Sequence, residues 1–258
     1  MKLAYALAAL LAATSIASPL RAAELHVVSS GGFAAAYKAL VPEWEKQTGN
    51  TVVAAWGPSM GTTENAVPQR LARGEKIDIV IMVGYALDKL VEDGKVAAAD
   101  AVPLARSGIG VVVREGAPHP DIATPDALKQ ALLAAKSVAY SDSASGVYIE
   151  REMFKKLGIE NEMKGKARMI PAEPVGAVVA RGDAEIGFQQ ISELKPITGI
   201  ALLGPVPPPL QLDTIFSAGI LADSTEKDAA RSLVQVLGAP AAATAIVNSG
   251  MEPMAPPK

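Results

Sequence analysis

The sequence predicts an α/β fold of two lobes joined by two crossover strands. Three observations carry that prediction. Short apolar β runs alternate with amphipathic helix patterns almost from end to end. Two β-rich stretches, residues 102–120 and 204–221, break this rhythm and read as strands crossing between lobes. No cysteine is present, which excludes disulfides, thiolate metal sites and Cys nucleophiles, so a chain of 258 residues must rest on its apolar core.

The first segment, "MKLAYALAALLAATSIASPLRAAELHVV", has a charged start at Lys2, an apolar stretch Leu3 to Ile16 and small residues near Ala22 and Ala23. It reads as a secretory signal peptide, residues 1–23, cut near residue 22 or 23; the apolar stretch is short for a bilayer span. The mature chain is expected to be soluble, exported and free of membrane insertion, and with no Cys after the apolar region a lipid anchor there is excluded. Then "LHVV" leads through "SSGG" to the helix pattern "FAAAYKALVPEWEKQTG", "TVVAAW" to "GPSMGTTENAVPQRLARG", and "IDIVIMV" to "GYALDKLVEDGKV". After the first crossing, "SVAY" leads through "SDSASG" to "VYIEREMFKKLG"; "AEIGFQQ" and "TIFSAGIL" follow, then the helix "TEKDAARSLVQVLGAP" and the tail "PMAPPK". Continuous apolar runs of four to six residues imply parallel sheets covered by helices. The crossings divide the mature chain into lobe 1, residues 24–105 with 212–258, and lobe 2, residues 106–211.

Without Lys2 and Arg21, 22 basic residues face 27 acidic ones, a net charge of −5. That balance argues against nucleic acid or an anionic membrane as partner. The two histidines are His26, within a strand pattern, and His119, beside a proline, so no histidine metal cluster is expected and no cofactor is implied.

In an open α/β sheet, ligands sit beyond the carboxyl ends of the strands. Four loops there are rich in hydroxyls and glycine: Ser29-Ser30-Gly31-Gly32, Gly57 to Thr63 with Ser59 and Met60, Gly84-Tyr85, and Ser141 to Gly146 with Ser143 and Ser145. One such loop is explained by turn and cap chemistry. Four, each before a helix, point to hydroxyl and N–H donors gathered around a small anion. None carries Lys or Arg, so neutral donors hold the anion, with Arg106 at the first crossing the nearest candidate cation for a two-pronged carboxylate pair. No Walker, dinucleotide or G-x-S-x-G fingerprint is present.

The export signal together with "SSGGFAAAYKALVPEWEKQTG", "GPSMGTT", "IDIVIMVGYALDKLVEDGKV" and "GDAEIGFQQ" resembles the periplasmic solute-binding proteins of the molybdate-binding type, over essentially all of residues 24–250. That resemblance implies the type II periplasmic-binding fold: two α/β lobes, two crossover strands as hinge, and a ligand in the cleft. It matches Ser30 and Ser59 to the ligand serines of the first lobe and "SDSASG" to the ligand loop of the second. If the chain is a receptor, the resemblance also implies a membrane permease as partner. Molybdate binders of this type carry a Tyr-containing segment where this chain reads "GFQQISEL"; Gln189 and Gln190 there suit a carboxylate better than a compact tetrahedral dianion.

Within that fold "SSGGF", "MVGYALD", "SDSASGVY" and "IGFQQ" look most similar to the periplasmic aconitate isomerases. The implied chemistry is an allylic proton shift, which requires donors for three carboxylates and one acid–base group. Tyr85, Tyr148, Glu173 and Asp142 are the candidates for that group. In the serine loop, Ser145 is expected to contact the ligand and Ser143 to be the spare.

Overall fold

The computed structural model describes residues 22–254. The signal peptide expected over residues 1–23 lies outside the described residues up to residue 21, as does the tail beyond residue 254. Two sheets form. The first contains β1 (Glu24–Ser29), β2 (Thr51–Trp56), β3 (Ile79–Val83), β4 (Val96–Ser107), β10 (Thr214–Leu221) and β11 (Glu252–Pro253), in the order β11-β4-β10-β3-β1-β2. The second contains β5 (Ile109–Arg114), β6 (Val138–Ser141), β7 (Ala167–Ile170), β8 (Ile186–Gln190) and β9 (Ile200–Pro205), in the order β7-β6-β8-β5-β9.

The expected wholly parallel sheets are corrected to mixed ones. β1 pairs in parallel with β2 and β3, and β6 with β7 and β8, but β10 is antiparallel to β3 and β4, and β5 to β8 and β9. The reason lies in the crossings. Strands of the βαβ units end at the cleft between the sheets, whereas β5 and β10 begin beside the cleft, at Ile109 and Thr214, and run away from it. The expected fold class of two α/β lobes with two crossover strands describes the molecule.

Helices cover the central strands on both faces, so β3, β6 and β8 are buried along their whole length, while the edge strands β2, β7 and β9 stay partly exposed. The helix Ala34–Thr48 buries Tyr37, Val41 and Trp44, a helical-period stripe, against Leu25, Val27 and the helix Lys227–Gly238 with Leu233, Val234 and Leu237. In the second lobe Leu128, Leu132, Tyr148, Met153 and Phe154 close over Val111, Val113 and Phe188. Only Val67–Ala72 of the stretch "GPSMGTTENAVPQRLARG" is helical; its first part is a chain of turns that leads to the cleft. Among the described residues no single helix is long and apolar enough to cross a membrane.

The two crossings are tied together by side-chain amides. Gln211 Oε1 accepts from the Ile109 N–H at 2.8 Å while its Nε2 donates to the Ile109 carbonyl at 2.9 Å. Gln190 repeats the device: with its amide oriented so that every polar atom is satisfied, Oε1 accepts from Thr214 Oγ1 at 2.8 Å and the nitrogen faces the Ser107 carbonyl at 3.1 Å.

Candidate functional site

A cleft of about 240 Å³ opens between the two sheets, smaller than the roughly 300–1,000 Å³ of a drug-sized pocket and suited to a compact ligand. Three of the four hydroxyl-rich loops reach it: Ser30-Gly31-Gly32 after β1, Gly57-Pro58-Ser59 after β2, and Ser141-Asp142-Ser143 after β6. Trp56, Val83 and Phe216 give it apolar walls. No Lys, Arg or His is among its lining residues.

The hydroxyls are arranged differently from helix caps. Ser30 precedes a 3₁₀ turn and Ser143 the helix Ala144–Tyr148, yet neither side chain bonds the backbone as a cap. Ser30 Oγ is buried without a hydrogen-bond partner, a costly state for a hydroxyl unless something in the cleft pairs with it. Ser59 Oγ accepts from the Val83 N–H at 2.9 Å, which leaves its own proton to donate. Ser141, Ser143 and Ser145 form a hydroxyl cluster, with Ser141 Oγ 2.8 Å from Ser143 Oγ and 3.0 Å from Ser145 Oγ.

That cluster reverses the order expected within the loop. Ser143 lines the cleft, whereas Ser145 is fully buried behind Ser141. Gly146 is a packing residue: a Cβ there would lie 1.6 Å from the Ser141 carbonyl oxygen, so only glycine lets the helix start this close to β6. Ser29 lies one step behind Ser30, buried, its hydroxyl donating to the Ser30 carbonyl at 3.0 Å.

Other expected site residues lie elsewhere. The Gly84-Tyr85 loop opens on the hinge side, because β3 neighbours β10, and lines a separate groove with Leu212, Ile215 and Ser217. Tyr85 is exposed there, its hydroxyl directed at Met60 Sδ, so Met60 and Tyr85 meet each other outside the cleft. Tyr148 is sealed in the core of the second lobe; its hydroxyl donates to the Leu210 carbonyl at 2.7 Å and accepts from Lys156 Nζ at 3.3 Å. Arg106 follows the buried Ala105 in β4, so strand alternation turns it outward, where it pairs with Glu252 and with Asp213. It is a surface ion-pair residue rather than a ligand for the cleft.

Two expected acid–base candidates do line the cleft, but both are engaged. Glu173 is exposed and paired with Arg181, whose guanidinium holds its carboxyl below the usual carboxylate range. Asp142 Oδ2 accepts from the Ala172 N–H at 3.0 Å, across a residue in the left-handed region with φ of 53°.

The sequence reading passed over Glu193, in the short helix Ile191–Leu194 directly after β8. Its carboxyl lines the cleft and rests against Gly31 of the opposite lobe, so closely that a Cβ on Gly31 would lie 2.1 Å from Glu193 Oε1. Gln189 Oε1 is fixed by the Val175 N–H at 2.8 Å, which leaves its NH₂ on the side of Glu193, where it and the Gln190 N–H favour the charged carboxylate. Burial pushes the Glu193 carboxyl up to about 7; the nearby Asp142 charge adds to this, and the two donors act against it. The one available signal was the segment "GFQQISEL" itself, in which Glu193 is the single acidic residue.

The chain is similar to known proteins in sequence and in fold. The family model described as bacterial extracellular solute-binding protein matches residues 25–252. An aconitate isomerase from Pseudomonas sp. is 49% identical over 247 residues, covering 96% of this chain and 94% of that protein. Among solved structures, the substrate-binding domain of a molybdenum ABC transporter from Clostridium difficile superposes with a TM-score of 0.68 at 16% identity, over 90% of this chain and 100% of that one. The Azotobacter vinelandii periplasmic molybdate-binding protein does so with 0.65 at 20% identity, over 88% and 98%. At those identities the structural likenesses carry the fold alone.

Proposed function

The chain belongs to the bacterial extracellular solute-binding protein family, and from that premise we propose that it is an isomerase interconverting cis- and trans-aconitate by an allylic proton shift in the cleft between its lobes. The observation that carries this reading is the 49% identity to an aconitate isomerase across nearly the whole of both chains. The reaction removes a proton from a carbon alpha to a carboxylate, spreads the charge through the double bond and returns a proton to the other end of the allylic unit. It needs donors for several carboxylates and one proton carrier, in a site that excludes water.

The cleft supports those needs. Ser30, with its unpartnered hydroxyl, Ser59, with a proton to donate, and Ser143 at the edge of the serine cluster are the hydroxyl donors assigned to the substrate carboxylates. Gln189 and Gln190 serve them indirectly, since the first orients Glu193 and the second ties the crossings. In this reading lobe 1 comprises residues 24–105 with 212–258 and lobe 2 residues 106–211, closing on the substrate about the crossings. Residues 1–23 direct export and are removed near residue 22 or 23, so the enzyme works in the periplasm.

A second reading rests on family membership: a passive receptor that delivers a small oxyanion or carboxylate to a membrane permease. Incubating the purified mature protein with trans-aconitate and recording proton NMR separates the two. Signals of cis-aconitate that are missing from a heat-inactivated control support the isomerase. Unchanged trans-aconitate with a raised melting temperature supports the receptor.

A further inference from the structure

The allylic shift needs a group that first takes and then gives a proton, and the carboxyls lining the cleft differ in their fitness for it. Glu173 shares its charge with Arg181, which disfavours protonation. Asp142 is tied to the Ala172 backbone at the rim. Tyr148 faces the core of the second lobe and Tyr85 the separate groove. Glu193 stands between the two lobes, under Gly31, with the unpartnered Ser30 hydroxyl on the neighbouring residue. Its carboxyl faces the Gln189 amide and the Gln190 N–H of β8, and the residue is half-buried, so the carboxyl is partly shielded from water.

We infer that Glu193 is the proton carrier of the isomerisation: its carboxylate takes the allylic proton from one carbon of a bound tricarboxylate and returns it to the carbon two bonds away. This rests on the isomerase reading and names the group that reading leaves open. In the first half, a C–H bond breaks, an O–H bond forms on Glu193, and the electron pair enters the conjugated carboxylate system. In the second half, the O–H bond breaks, a C–H bond forms at the far end of the allylic unit, and the double bond settles one position over. No electron is gained or lost overall, and no co-reactant is consumed.

The surroundings of Glu193 favour this cycle. From its own lobe it faces Gln189 and the Gln190 N–H on β8, and Asp142 from the loop after β6, with Glu173 farther along the cleft, paired to Arg181 outside the lining. From the opposite lobe it faces Ser30 and Gly31, which carry no charge. Lys195, on the next turn, extends away toward the Val247 carbonyl. Among the described residues no cation is paired with Glu193, and burial brings its carboxyl to about 7, where the carboxylate is a stronger base than an ordinary one and is still populated at neutral pH. Gly31 keeps the approach open, because any side chain there would run into the carboxyl.

The test is Glu193→Gln in the mature protein, which keeps the acceptor oxygen and the volume. The rate of conversion of trans-aconitate, followed by proton NMR, is expected to fall roughly 10²–10⁴-fold, while trans-aconitate continues to raise the melting temperature. A second readout avoids the variant altogether: kcat/KM of the unaltered protein is expected to fall about tenfold per pH unit below an apparent pKa near 7. Wild-type turnover in Glu193→Gln, or a flat profile from about pH 6 to 9, overturns the role of Glu193 and leaves the isomerase reading standing. Failure of the unaltered protein to convert trans-aconitate at any pH overturns both.

Discussion

Replacing Glu193 by Gln has a consequence for stability that is independent of any substrate. The carboxyl is raised from 4.5 to about 7, chiefly by burial. The folded state therefore holds a proton that the unfolded chain releases between those two values. A raised carboxyl contributes its relative stability below the unfolded pKa and loses it as pH rises through the folded one. Stability of the unaltered protein should thus fall across about pH 4.5 to 7 and level off above that window. At 1.36 kcal/mol per pKa unit the full difference is about 3 kcal/mol, and about 2 kcal/mol once solvent screening at a half-buried side chain is allowed for. Glutamine keeps the acceptor oxygen for the Gln189 amide and the Gln190 N–H but has no charge to desolvate. Glu193→Gln should therefore be more stable than the parent by about 2 kcal/mol at about pH 8, and by under about 1 kcal/mol at about pH 5. For a chain of this size that is a gain of roughly 4–8 °C in melting temperature at the higher pH. Calorimetric melts of both proteins at the two pH values measure it directly. Equal differences at both values, or a loss of stability at the higher one, would refute the account of a desolvated carboxyl under Gly31.

Ser30→Ala removes a buried hydroxyl that has no protein partner, so the melting temperature should hold while calorimetric affinity for trans-aconitate falls about 10- to 100-fold, the worth of one hydrogen bond to a charged group. Ser143→Ala should weaken that binding similarly with little effect on stability, since Ser141 keeps Ser145 as partner at 3.0 Å. Ser145→Ala should do the opposite, costing about 0.5–1.5 kcal/mol of stability and leaving affinity alone; equal affinity losses in the two variants would refute the division between them. Gln190→Leu leaves Thr214 Oγ1 and the Ser107 carbonyl without their bridge and should destabilise the fold by about 1–3 kcal/mol in urea melts; an unchanged midpoint would show that the bridge does not hold the crossings.

Periodicity along the chain determined the elements. A short, β-branched apolar run such as "IVIMV", bounded by polar and glycine residues, reads as a strand buried on both faces, and the stripe Tyr37, Val41, Trp44 reads as one face of a helix. The two-lobe fold and its crossings were legible for the same reason, since a break in strand–helix alternation is a local property of the sequence. Direction was not: β5 and β10 run against their neighbours because they start at the hinge, and no pattern within a strand records which way its neighbour runs. The places of Tyr148 and Arg106 were left open by the sequence, because helical phase and strand alternation set which face each occupies, and the packed lobes turn one into a core and the other to solvent. Glu193 lay outside the reading altogether. "ISELK" has the composition of an ordinary surface helix, and its carboxyl is desolvated because the fold sets it in the cleft against Gly31, far away in sequence on the other lobe. Local patterns of apolar and small residues are written by the chain itself, whereas desolvation of a charged group depends on which distant segments the tertiary fold brings against it.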